Sequence, residues 1–326
     1  MEPSLGDGGD LTVAELDRNA ETLDATDQAS ARSRLIESGK RTGSMLVDVF
    51  RDDRMGQAGL AILLVFALTG LFAPLVVPHE PTEINRGDDG TTLRLDAPSA
   101  EHPLGTTNMG RDVLSQLMVG ARVSLIVGFL AAFMAVTIGV NVGLISGYYG
   151  GWVDDLLMRI TDIAYGLPFL PFVIVLVFLM GPSLLSIIIV IALLLWRSTA
   201  RVIRSQVLSH KQRPYVESAQ AVGASNLRIM YRHILPNVLP LAFLYGAFSV
   251  AWAVIAEASI AFLGFGDPAM MSWGQMLFEA YTADAIRFAW WWVVPPGVSI
   301  MIMVMSVFFI GRTLERVTNP ELRHAE

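Results

Sequence analysis

Arg201-Val-Ile-Arg-Ser-Gln-Val-Leu-Ser-His-Lys-Gln-Arg-Pro-Tyr-Val-Glu-Ser-Ala-Gln-Ala-Val-Gly-Ala-Ser-Asn-Leu-Arg-Ile-Met-Tyr-Arg-His-Ile-Leu-Pro-Asn237 is a polar island between long apolar runs. Between Trp196 and Pro236 stand seven basic residues (Arg197, Arg201, Arg204, Lys211, Arg213, Arg228, Arg232) and one acid, Glu217. Lys and Arg resist translocation, so a short basic loop between membrane spans is expected on the cytoplasmic side. Pro214 can open a helix, because the first turn leaves its N–H unpaired in any case. Gly223 interrupts that helix, and Asn226 is expected to cap a second short one ending at Pro236. Two short helices at a fixed angle, held at the membrane surface, make a docking element.

The rest of the composition agrees with a membrane protein. Of 326 residues, 53% are hydrophobic and 16% charged, against about 45–50% and about 25% in soluble domains. The apolar residues cluster into long runs, as spans require. With no cysteine, disulfides, thiolate metal sites and cysteine nucleophiles are excluded. The net charge of -7 is carried by acids crowded into the N-terminal tail and the loops, and only Lys40 and Lys211 are lysines. An acidic, Lys-poor exterior fits a high-salt cytoplasm, where charge repulsion is screened. A GC-rich genome, which favours Arg over Lys, explains it equally well.

Residues 1–50 form an acidic tail: the first thirty hold eight acids and one Arg, Arg18. Such a segment cannot bury enough surface to offset its ordering entropy, so 1–40 is expected to be disordered or loosely helical. It lacks the basic start and apolar core of a signal peptide. A transmembrane domain over 51–320 follows, with six candidate spans at 56–78, 123–147, 162–180, 184–203, 238–265 and 290–311. Gly181-Pro182-Ser183 separates the third from the fourth. The fourth is apolar only as far as Trp196 and gains length if Arg197 and Arg201 snorkel to the interface. Trp290, Trp291 and Trp292 are expected to form an interfacial aromatic belt. An even number of spans puts both termini on one side, and the positive-inside count makes that side cytoplasmic. The 79–120 loop is then external, with 109–122 lying as an amphipathic surface helix.

No phosphate-binding loop, zinc-protease motif or nucleophile elbow occurs. The five His (His79, His102, His210, His233, His324) are scattered without metal-ligand spacing, so no metal site and no catalytic residue is expected. Glu257, in the outer half of the fifth span, is the clearest intramembrane charge. It lines a translocation path, or else it is an interfacial carboxylate bonded to a neighbouring helix or loop, which is the favoured reading. Arg159 and Asp162 stand one turn apart as an interface pair. Pro168 and Pro171 mark either a hinge or an ordinary packing kink. A proton-driven transporter needs several buried acids in series, and only Glu257 is found. These residues leave a membrane pathway without an engine of its own, with a self-sufficient secondary transporter or channel, or a membrane scaffold or receptor, as other readings.

The island resembles the EAA motif of binding-protein-dependent ABC importer permeases: Glu217-Ser218-Ala219, then Gly223, then His233-Ile234-Leu235-Pro236. Ser218 stands where the pattern has Ala. Arg232-His233-Ile234-Leu235-Pro236-Asn237 is similar to the dipeptide/oligopeptide/nickel branch. So are His102-Pro-Leu-Gly-Thr-Thr-Asn-Met-Gly-Arg-Asp-Val-Leu-Ser115, Gly147-Tyr-Tyr-Gly-Gly-Trp-Val-Asp-Asp155, Glu257-Ala-Ser-Ile-Ala-Phe-Leu-Gly264 and Ser272-Trp-Gly-Gln-Met-Leu277, which look like its C-type subunit. The resemblance covers roughly residues 50–325. It implies an all-α membrane protein of the type I importer fold, with six transmembrane helices and a cytoplasmic coupling loop at 201–237. The implied partners are a homologous second permease, two ABC ATPase subunits carrying ATP and Mg, an extracytoplasmic solute-binding protein and the bilayer, with no nucleic acid. No cofactor is implied on this chain itself. Tyr215, Glu217, Ala219, Gly223, Ala224, Arg228, His233, Leu235 and Pro236 would receive the ATPase, and Glu257 would border the pathway.

Overall fold

A computed structural model describes residues 50–51 and 53–318; the acidic tail expected at 1–40 lies outside them. The described chain is helical: α1 Arg54–Val76, α2 Val113–Tyr149, α3 Gly151–Gly166, α4 Phe169–Met180, α5 Leu184–Lys211, α6 Pro214–Ala221, α7 Asn226–Phe265, α8 Trp273–Thr282 and α9 Trp290–Thr318. Five of these (α1, α2, α5, α7, α9) are long and apolar enough to cross a membrane, and α3 with α4 adds a sixth crossing if that bent pair spans.

The candidate third span is broken rather than straight. The axes of α3 and α4 differ by 95°, and Leu167 and Pro168 between them are extended, with ψ of 130° and 120°. Pro168 disfavours helical geometry at Leu167 and offers no N–H to continue the ladder. The run 162–180 is therefore two helices meeting at a corner.

α2 is the central rod, packed against α5, α7 and α1. Its 37 residues reach about 55 Å, well beyond a hydrocarbon core of about 30 Å. The expected surface helix at 109–122 is corrected accordingly: Asp112 caps the helix, its carboxylate accepting the Ser115 N–H at 2.7 Å, and 113–122 are the opening turns of α2. Gly139, Gly143 and Gly147 place one bare face of α2 against α5. A Cβ at Gly143 would stand 2.7 Å from the Ala200 carbonyl oxygen, and one at Gly139 2.6 Å from that of Trp196. Small residues four apart let two backbones approach closely where water cannot drive association.

α5 runs unbroken through Lys211, so the first third of the polar island is helix, not loop. Arg197 and Arg201 do not simply snorkel. Arg197 donates to the Ala164 carbonyl at 2.7 Å, Arg201 pairs with Asp162 at 2.5 Å, and both guanidinia lie over the Tyr165 ring. The partner of Asp162 is thus Arg201 rather than Arg159. The expected tryptophan belt also divides. Trp290 is exposed, Trp292 is wholly buried, and Trp291 donates to the Thr106 carbonyl at 3.4 Å.

α1 and α9 are stapled at one end, where the Asp53 carboxylate accepts from Thr313 Oγ1 at 2.6 Å and from the Met55 N–H at 3.1 Å. Burial pushes the Asp53 carboxyl up, but these bonds and nearby Arg316 bring it below its usual range. The outer flank of α1 exposes Leu64, Val65, Leu71 and Leu75, an apolar surface suited to lipid or a neighbouring span.

Replacing Gly143 by Leu is expected to destabilise the fold by at least about 1–3 kcal/mol, since backbone rather than a mobile side chain opposes it. Gly246→Ala, whose new Cβ meets only Val136 Cγ2 at 3.6 Å, should be nearly neutral. Thermal unfolding of the two variants in detergent checks the contrast, and equal melting temperatures would refute the packing argument.

Candidate functional site

The segment 212–236 hangs at the end of the bundle that also carries the α2–α3 corner. Pro214 opens α6 at its first position, and Glu217 lies in the first turn, where a carboxylate is favoured by the helix dipole. Val216 and Ala219, three apart, face inward and are buried; Glu217, Ser218, Gln220 and Ala221 face out. The helix closes on a left-handed cap. Gly223 has φ of +80°, its N–H donates to the Gln220 carbonyl at 2.9 Å, and Ala224 N–H reaches the Ala219 carbonyl at 3.0 Å. This paired pattern satisfies two carbonyls that a helix end leaves open, and glycine adopts the required φ without strain.

Beyond the cap, Ser225 rather than Asn226 is the N-cap of the next helix, accepting the Arg228 N–H at 3.4 Å. Asn226 instead accepts from the Tyr148 hydroxyl at 2.9 Å, tying the loop to the end of α2. The second helix does not stop at Pro236. It is the start of α7: a π-turn at Ile229–Ile234 carries it on past Pro236, with the Leu235 N–H bonding five residues back to Met230. Pro236 has no N–H for a normal turn, and the widened π geometry accommodates the gap. From Asn226 onward the loop and the following span are one continuous helix.

The expected docking residues therefore fall into two sets. Tyr215, Ala219, Ala224 and Leu235 pack inward with Val216, Ile229, Met230 and Ile234 against Tyr148, Ile203 and Val207. Tyr215 Oη lies 2.9 Å from His210 Nδ1, and burial pushes its phenol above the usual range despite nearby Arg213. Glu217, Gly223, Arg228 and Pro236 face outward, and His233 is half-buried. Between the outward residues stand Val222, 84% exposed, and Leu227, 63% exposed. Neither was singled out in the sequence, where two aliphatics in a mixed segment carry no signal.

A second feature escaped sequence reasoning. Asp154 accepts two bonds from Arg204, at 2.6 and 2.5 Å, and one from Ser146 Oγ at 2.5 Å. This bidentate clamp ties α3 to α2 and α5 directly behind the loop. Glu257 is not brought to this surface. It is 2% exposed in α7, takes a 3.3 Å bond from Ser124 Oγ of α2, and lies beside Ser272 at the start of α8. The His residues are less scattered than their sequence positions suggest: His79 and His102 meet, ring centroids 4.5 Å apart, at the opposite end of the bundle.

Comparisons with known proteins agree with this architecture. Residues 139–324 match the family "binding-protein-dependent transport system inner membrane component". Residues 44–98 match the "N-terminal TM domain of oligopeptide transport permease C". The chain is 37% identical over 274 residues to the dipeptide transport system permease protein DppC of Alkalihalophilus pseudofirmus, covering 84% of this chain and 88% of the relative. It is 34% identical over 278 residues to the oligopeptide transport system permease protein OppC of Bacillus subtilis, covering 84% and 88%. Among solved structures, the MetNI methionine ABC transporter in an inward-facing form superposes with a TM-score of 0.51 at 19% identity, over 63% of this chain and 96% of the other. That likeness speaks for the fold alone.

Proposed function

The chain belongs to the binding-protein-dependent transport system inner membrane components, and from that membership we propose that it forms half of the pore of a di- or oligopeptide importer. As a multi-pass permease subunit of such an ABC importer it is not an enzyme, and ATP hydrolysis belongs to partner subunits. Relatives named for dipeptide and oligopeptide transport support the peptide cargo. A homologous permease would complete the pore, two ATPase subunits would dock below it, and a binding protein would deliver solute from outside.

The observation that carries the coupling role is the two-sided build of 212–236. Its inner face is locked into the bundle, while Val222, Gly223 and Leu227 offer an uncovered apolar surface between Arg213 and Arg228. An ATPase groove fits a short helix of this kind, with Glu217 and the arginines at its polar rim. Because the loop is continuous with α7, displacement at Gly223 would be delivered to the span. The basic loop and both termini belong on the cytoplasmic side by the positive-inside argument. Glu257 is assigned an interlocking part among α2, α7 and α8 rather than a lining one.

Gly223→Asp should still insert, since no atom lies within 4 Å of a Cβ there and Asp is among the few L residues that visit left-handed geometry, at a cost in strain. With its ATPase partners it should hydrolyse ATP without driving uptake; uptake at the wild-type rate would overturn the coupling role. Sidedness is open to cysteine labelling, because the chain has no cysteine of its own. Val222→Cys is expected to react with an impermeant maleimide only in inverted vesicles, and Asp89→Cys only in right-side-out cells; the reverse would invert the topology. For cargo, mass spectrometry of the ligand retained by the cognate binding protein should find peptides, and a non-peptide solute would refute that assignment.

A further inference from the structure

At the end of the bundle opposite the loop, the polar segment 77–112 folds onto the first turn of α2. Asp112 organises it. Its Oδ2 accepts from the Ser115 N–H and hydroxyl, each at 2.7 Å, and its Oδ1 lies 2.9 Å from Nδ1 of buried His102. His79, which follows α1, stacks on His102 with an interplanar angle of 36°, and its backbone N–H donates to Ser115 Oγ at 3.2 Å. Nδ1 of His79 is buried with no hydrogen-bond partner; at 4.0 Å from Asp112 Oδ1 it is out of reach. Glu101 stands beside them, exposed. One ring nitrogen of each His and one Glu101 carboxylate oxygen all lie within 4.8 Å of one another.

We propose that His79, Glu101 and His102 bind one divalent transition-metal ion of the zinc class, with Asp112 as the positioning residue. Two imidazoles and a carboxylate suit zinc or its neighbours, whereas calcium and magnesium favour all-oxygen sets. By accepting the Nδ1 proton of His102, Asp112 fixes the tautomer that leaves Nε2 free to coordinate and holds the ring in place. A purely structural histidine pair explains the His102–Asp112 bond but not the orphaned nitrogen of His79, since buried polar groups are normally partnered. Ligand atoms around an ion at about 2.0–2.1 Å stand about 3.3 Å apart. The three need to close by about 1.5 Å at most, which rotation of the exposed Glu101 side chain can largely supply. A fourth position is left for water. The bound ion would tie the exit of α1 to the turn leading into α2, bridging two spans on the face away from the docking loop.

The test uses the full-length chain purified in detergent and stripped with chelator. Titration with Co(II), read by its visible d–d bands, and with Zn(II), read by calorimetry, is expected to show one saturable equivalent. His79→Asn and Glu101→Gln should each weaken binding at least 10-fold, Asp112→Asn by about 10- to 100-fold, and His324→Asn should leave it unchanged. Zn(II) should raise the melting temperature of the wild type but not of the His79 and Glu101 variants. Because Asp112 also caps α2, Asp112→Asn is the chosen variant: its amide oxygen can still accept the Ser115 N–H as an N-cap, so metal lost with α2 intact reports the carboxylate and not the cap. Absence of a saturable equivalent in the wild type, or wild-type affinity in the His79→Asn/Glu101→Gln double variant, would overturn the site.

Discussion

The close contact between α2 and α5 is the constraint on which the rest depends. In a bilayer no hydrophobic effect pulls helices together, so the energy must come from dispersion over well-matched surfaces. Gly139, Gly143 and Gly147 remove the side chains that would hold the two backbones apart. That approach sets where α5 emerges, and hence where Arg197, Arg201 and Arg204 stand when they meet α3. It also brings Ile203 and Val207 against Leu144 and Tyr148, forming the apolar floor on which the docking loop rests.

From that floor the loop gains its mechanical character. An exposed eight-residue helix has little stability of its own, because nucleation is costly and few bonds repay it. α6 is instead fixed by burial of Val216 and Ala219, by the left-handed cap at Gly223, and by Asn226 bonded to Tyr148. The π-turn then passes the chain into α7 without a flexible joint. Under the proposed coupling role, a force received at Val222 would pass through this anchored segment into α7. For such an element to switch a pore, both partners must hold it in two distinct arrangements.

Much of this was legible in the sequence, for identifiable reasons. Spans are written as long apolar runs, and Gly223, Pro214 and the basic residues signal local geometry and topology through their own chemistry. What stayed hidden depended on longer-range pairing. Pro236 read as a helix stop because proline usually is one; the π-turn that rescues continuity leaves no compositional mark. Trp292 read as an interfacial anchor, since its amphipathic ring suits either a headgroup belt or a buried slot, and only tertiary contacts choose. Asp162 is one turn from Arg159, yet its guanidinium partner comes from α5. His79 and His102 are separated by a loop whose closure rests on the Asp112 cap, so no spacing rule could join them.

Glu257 shows how the two kinds of information combine. Alone in a span, a carboxylate suggests a pathway, because burying a charge in lipid is costly. Its surroundings remove that cost by another route: it is enclosed within the chain, bonded by Ser124 and adjacent to Ser272. Polar groups satisfied inside a bundle fix register between helices, and this one sits where α2, α7 and α8 meet. Glu257 is therefore a tie between helices in the described fold.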